Sequence, residues 1–172
     1  EECVPPVPDI TKDEALARLA RNYFRSHTPA TLQDFVWWSG LSVTEAKQGI
    51  YLIGSELTEE QWKGQTWYLH ESGRTRGSIK GHIRFLPPYD ELLLGYKART
   101  DVLLSEHCSK AFTGNGLFFP VILYEGQIVG NWDRKAKRNG CDPGYSLFRQ
   151  ESRIDEALLD KAQQQYMQFL GK

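Results

Sequence analysis

The 172-residue chain carries 21 Lys and Arg against 22 Asp and Glu, a net charge of −1, with 40% hydrophobic and 25% charged residues. That balance excludes a disordered polyelectrolyte and gives no global basic field, so any contact with nucleic acid has to come from local basic faces. The length suits one large domain or two small ones, and no apolar run reaches the roughly 18 residues of a membrane span.

The first residues, "EECVPPVPDI", hold three prolines and predict an extended arm over residues 1–9. They show no signal-peptide pattern and no initiator Met, which predicts a cytoplasmic protein and allows a piece of a longer one. Cys3, Cys108 and Cys141 are an odd number without C-x-x-C spacing, as expected of a reducing compartment.

Residues 10–72 predict a winged helix. Thr11 and Glu14 form a capping box, and Leu16, Leu19, Ala20, Tyr23 and Phe24 follow on one helical face. Thr31 and Asp34 open a second, short helix that Gly40 closes, with Leu32, Phe35 and Val36 or Trp38 inward. Ser42 and Glu45 open a third, with Val43, Ala46 and Ile50 inward. Two helices joined by "SGLS" have helix-turn-helix spacing, although any small three-helix unit shares it. A hairpin turning at Lys63-Gly64 then supplies the wing.

A basic, glycine-rich linker is expected over 73–82, and a β-rich unit over 83–172. "HIRFLPP" predicts a strand ended by prolines, and "YDELLLGYKART" a short helical turn. "SEHCSKAF" predicts a short helix capped by Ser105. A hairpin turns at Glu125-Gly126, and "YSLFRQ" is a further strand. The last helix places Ile154, Leu158, Ala162, Tyr166 and Phe169 or Leu170 on one face. The expected fold class is α+β: a winged helix, then a small barrel-like β-unit, then a C-terminal helix.

Chemistry-bearing signals are sparse. No phosphate-loop, dinucleotide or nucleophile-elbow motif occurs. His107 adjoins Cys108, but neighbours on a helix diverge, so neither a metal nor a cofactor is expected. In Asp90-Glu91 the two carboxylates cannot act as a pair, and a capping role for Asp90 after Pro87-Pro88 is the stronger reading.

The candidate DNA contacts are the outward positions of the third helix, Thr44, Lys47, Gln48 and Tyr51, together with Lys63 at the wing turn. The basic run Arg134, Lys135, Lys137 and Arg138 is a further candidate, with Arg74, Arg76, Lys80, Arg84, Lys97 and Arg99 as a looser set. The alternative for the helix positions is a solvated face that touches nothing or touches a neighbouring domain, and for the basic clusters a mobile, solvated loop.

The blocks "PATLQDFVWWSGL" and "LPPYDELLLGY", with "GNGLFFPVILYEGQIVGNWDRK", resemble the bacterial winged helix DNA-binding domain-containing proteins. That superfamily includes DNA glycosylases acting on alkylated bases and interstrand crosslinks. The resemblance implies the C-terminal half of such a protein, a duplex DNA partner, and an N-terminal region of the same parent as a second candidate partner. It also implies a catalytic Gln-hydrophobic-Gln or Gln-hydrophobic-Asp motif, and no glutamine here fits that pattern. The first expectation is therefore a DNA-binding portion without catalytic residues. The second is part of a glycosylase whose active site lies upstream, and the third is a protein-interaction module.

Overall fold

A computed structural model describes residues 9–73, 77–137, 140–149 and 154–169, with the side chains of 134–143 and 169 excluded. The chain divides into two compact units: residues 1–76 with 95–97, and residues 77–94 with 98–172.

In the first unit, α1 (Lys12–Ser26), α2 (Leu32–Ser39) and α3 (Val43–Leu52) each begin with a complete capping box. Thr11, Thr31 and Ser42 accept the backbone N–H three residues on, and Glu14, Asp34 and Glu45 reach back to the cap. Two strands follow, β2 (Leu57–Trp62) and β3 (Gln65–His70). Lys63 and Gly64 between them both have positive φ (51° and 73°), as a two-residue primed turn requires. A two-residue strand, β1 (Ala30–Thr31), pairs with Tyr68 and Trp67, giving the order β1-β3-β2.

The core of this unit is aromatic. Tyr23, Phe24 and Phe35 are fully buried, with Ala20, Ala30, Ala46 and Ile53 around them. The ring centroids of Tyr23, Phe24 and Phe35 lie 5.1–5.4 Å apart. Such tilted contacts add about 0.5–1.5 kcal/mol per pair beyond burial. Val43 differs from expectation, being 45% exposed. The inward face of α3 runs instead through Ala46, Gly49 and Ile50. A Cβ on Gly49 would stand 3.1 Å from the carbonyl oxygen of Leu16, so its hydrogen side chain is what lets α1 and α3 approach.

In the second unit, β4 (Ile83–Leu86), β5 (Val121–Tyr124), β6 (Gln127–Lys137) and β7 (Gly140–Leu147) form an antiparallel sheet in that order. The barrel expectation is corrected here: among the described residues β4 and β7 do not pair, and the sheet is open. β4 has four residues and stops before Pro87 and Pro88, and the terminal helix α6 (Glu156–Phe169) packs on it. Closure needs an edge-to-edge ladder, whereas here a helix covers the edge.

Both faces of the sheet are buried, which explains why β5 is uniformly apolar. Val121 and Leu123 join a cluster with Leu93, Leu103, Ala111 and Ile128. Ile122 and Tyr124 join the other, with Ile83, Trp132, Leu159 and Ala162. α6 therefore buries Leu159 rather than Leu158, which is only partly covered. Two short helices complete the unit, α4 (Glu91–Leu94) and α5 (Cys108–Ala111). Asp90 does cap α4: its Oδ1 accepts Leu92 N–H at 2.9 Å. Ser105 caps nothing, since a 3-10 turn (Ser105–His107) starts there without a side-chain cap bond.

Candidate nucleic-acid interface

The outward side of α3 follows from its inward side. With Ala46, Gly49 and Ile50 buried, Thr44, Lys47, Gln48 and Tyr51 are all exposed, Tyr51 at 79%. They fall at i, i+3, i+4 and i+7, so one helix face presents a hydroxyl, an ammonium, an amide and a phenol together.

Glu45 would repel phosphate at the start of this helix. It is instead engaged by Lys12, at 2.8 Å from the start of α1, and by both the hydroxyl and the N–H of Ser42. The hydrogen bond from Lys12, then those from Ser42, push its carboxyl down to about 2. Lys12 was not among the sequence candidates, because nothing local links residues 12 and 45. A depressed carboxylate contributes stability above its ordinary value of 4.5 and loses it as pH falls toward about 2. Glu45→Gln is therefore expected to lower the melting temperature at pH 7. The gap to the unsubstituted chain should narrow between pH 4.5 and 2. A gap that stays constant on an acid titration of thermal melts would contradict this.

The hairpin tip is less favourable to DNA than its lysine suggests. Lys63 Nζ sits 4.2 Å over the Trp62 ring, and Trp62 meets Trp67 edge-on at 5.5 Å. Glu59 and Glu60 are exposed along the same strand. Of the basic run, Arg134, Lys135 and Lys137 lie on β6 opposite Pro143, Asp142 and Gly140. Their side chains, and all of Arg138, Arg74 and Arg76, lie outside the described residues. The structure thus brings four candidates together on α3 and sets Lys63 on a separate hairpin of the same unit. Residues 1–76 and 95–97 hold nine Lys/Arg against eleven Asp/Glu, so neither the unit nor the chain offers a general attraction.

A family model described as "DNA glycosylase AlkZ-like" matches residues 1–169. The chain belongs to the AlkZ-like DNA glycosylase family. It is 29% identical over 128 residues to the interstrand DNA cross-link repair glycosylase of Streptomyces sahachiroi, covering 70% of this chain and 34% of that protein. The solved structure of the Streptomyces sahachiroi DNA glycosylase AlkZ matches with a TM-score of 0.74 at 25% identity, covering 92% of this chain and 43% of that one. The AlkZ-like chain therefore spans less than half the length of the relatives it matches. Membership ties it to the DNA glycosylases. Among its described residues no helix is long and apolar enough to cross a membrane.

Proposed function

We propose that this chain is the DNA-engaging, C-terminal part of a DNA repair glycosylase for alkylated or crosslinked bases. The observation that carries this is the family match across residues 1–169. In this reading α1–α3 and the β2–β3 hairpin work as a winged helix, with α3 laid toward the duplex. Lys47 meets phosphate, Gln48 and Thr44 reach polar groups in the groove, and Tyr51 packs against sugar or base. The basic run from Arg134 to Arg138 grips the backbone a second time.

The chemistry of base release needs a group that activates water or stabilises the departing base. No Gln-hydrophobic-Gln or Gln-hydrophobic-Asp triplet occurs in this sequence, so those groups are assigned to a part of the parent protein beyond these residues. The shares of the relatives covered, 34% and 43%, leave room for that.

Two measurements test the reading. Fluorescence anisotropy with a labelled duplex should show binding at low salt that weakens steeply as salt rises. Lys47→Ala should weaken it alike for unrelated sequences and reduce the log–log salt slope by about 0.9. An abasic-site assay on an alkylated duplex should show base release by the longer parent protein and none by this chain. A chain that shows no binding at low salt refutes the DNA-engaging role, and base release by residues 1–172 alone refutes the division of labour.

A further inference from the structure

The second unit carries a cleft that neither the family match nor the α3 face accounts for. It measures about 250 Å³ and lies where the start of β4 meets α6. Lys80, His82 and Arg84 line it from one side, and Lys161 and Gln165 from the other. All five are exposed. Among the described residues no carboxylate approaches Lys80, Arg84 or Lys161 within ion-pair distance. At the cleft rim Glu125 Oε1 accepts the Gly81 N–H at 2.7 Å and so holds the backbone bend there.

Three lysine and arginine residues lining one cleft repel one another. Arg84 Nη1 donates to the carbonyl of its neighbour Ile83 at 2.8 Å, which neutralises no charge. Such a cluster is stabilised by an anion, and cations without a carboxylate partner leave the cleft positive. Its size lies below the ~300–1,000 Å³ of typical small-molecule pockets, so it suits a phosphate group better than a whole metabolite. A planar guanidinium with two ammonium groups and an amide donor is the donor set that phosphodiester oxygens take. Sequence pattern alone could supply only half of this, because Lys161 is brought to Lys80 and Arg84 by the packing of α6 on β4.

We infer that the Lys80–Arg84–Lys161 cleft is a phosphate-binding site for the DNA backbone, separate in sequence from α3 and from the Arg134–Arg138 run. This rests on the DNA-engaging role proposed above. It adds two to three backbone contacts, which hold the duplex without reading its sequence.

The test uses the whole chain and a labelled duplex. Lys80→Ala/Arg84→Ala/Lys161→Ala is expected to weaken binding and to reduce the salt slope by about 2–3, at ~0.9 per phosphate. Arg84→Lys/Lys161→Arg, which keeps the charge, should retain most of the slope. The duplex should also shift the His82 ring resonances in a nuclear magnetic resonance titration. If the unsubstituted chain binds and the triple variant keeps its affinity and slope, the cleft is overturned while the DNA-engaging role stands. If the unsubstituted chain does not bind at low salt, both fall. If the charge-preserving variant loses as much as the triple alanine variant, or inorganic phosphate alone saturates the His82 shift at micromolar concentration, the cleft is not a DNA backbone site.

Discussion

Asp34→Ala is expected to destabilise the first unit by about 3 kcal/mol. The carboxylate is 3% exposed and accepts three hydrogen bonds. Two come from Thr31, from its N–H at 2.9 Å and its hydroxyl at 2.6 Å, and the third from the N–H of Lys97 at 2.8 Å. Alanine leaves the two buried Thr31 donors and the partly buried Lys97 N–H without this acceptor, at about 1–3 kcal/mol for each buried donor and less than additively. A unit of this size loses roughly 4–8 °C per kcal/mol, so the melting temperature should fall by well over 10 °C. Asp34→Asn keeps one acceptor oxygen and should fall between the two. Thermal melts followed by tryptophan fluorescence check this, and a drop below 3 °C for Asp34→Ala would refute the account.

Gly130→Ala should do comparable damage to the second unit. Gly130 sits in β6 between Ile122 of β5 and Leu147 of β7. An added Cβ would lie 2.5 Å from the Ser146 carbonyl oxygen and 3.1 Å from Leu147 Cα. Both obstacles are backbone atoms in a paired strand, so relief requires moving β7 away from its ladder. Forced overpacking costs about 1–3 kcal/mol, and the loss of ladder bonds here places this case at the upper end. Trp132, buried two residues on, reports the change. Gly114→Ala is the control: its Cβ meets nothing within 4 Å and its φ is not in the left-handed region, so its melting temperature should be unchanged. Equal melting of the two variants would show that the close approach at Gly130 is not rigid.

What the sequence disclosed and what it hid divide by distance along the chain. The three capping boxes, the turns at Lys63-Gly64 and Glu125-Gly126 and the Asp90 cap were legible, because each is a contact between residues within three positions of one another. β1 was not, since two residues cannot show alternation and its pairing partner lies 36 positions on, at Trp67. The bidentate bond of Arg21 to Glu56, which holds that carboxyl below its ordinary range, spans 35 positions and carries no local trace. The sheet's open edge was misread for the same reason: strand patterns give alternation and turns, but not which first and last strands meet. For the candidate site, the exposed set on α3 followed from helical period once the buried face was known. The Lys12 contact that occupies Glu45, and the arrival of Lys161 beside Arg84, depended on packing between distant helices and strands.

The short return of Gly95–Lys97 to the first unit bears on how the protein can be cut. These residues supply the carbonyl that accepts the Tyr23 hydroxyl, at 2.9 Å from Gly95, and the N–H that fills Asp34. Tyr96 adds its ring against His27, at 5.7 Å. The chain on either side of them belongs to the second unit. A gene fragment ending at codon 76 therefore encodes every helix and strand of the first unit and still omits part of its interior. Subcloning that fragment gives a protein in which the buried Tyr23 hydroxyl loses the Gly95 carbonyl and the buried Asp34 carboxylate loses the Lys97 N–H. A single splice cannot transfer the unit to another protein intact, so recombination would have to carry the two halves of its coding sequence together.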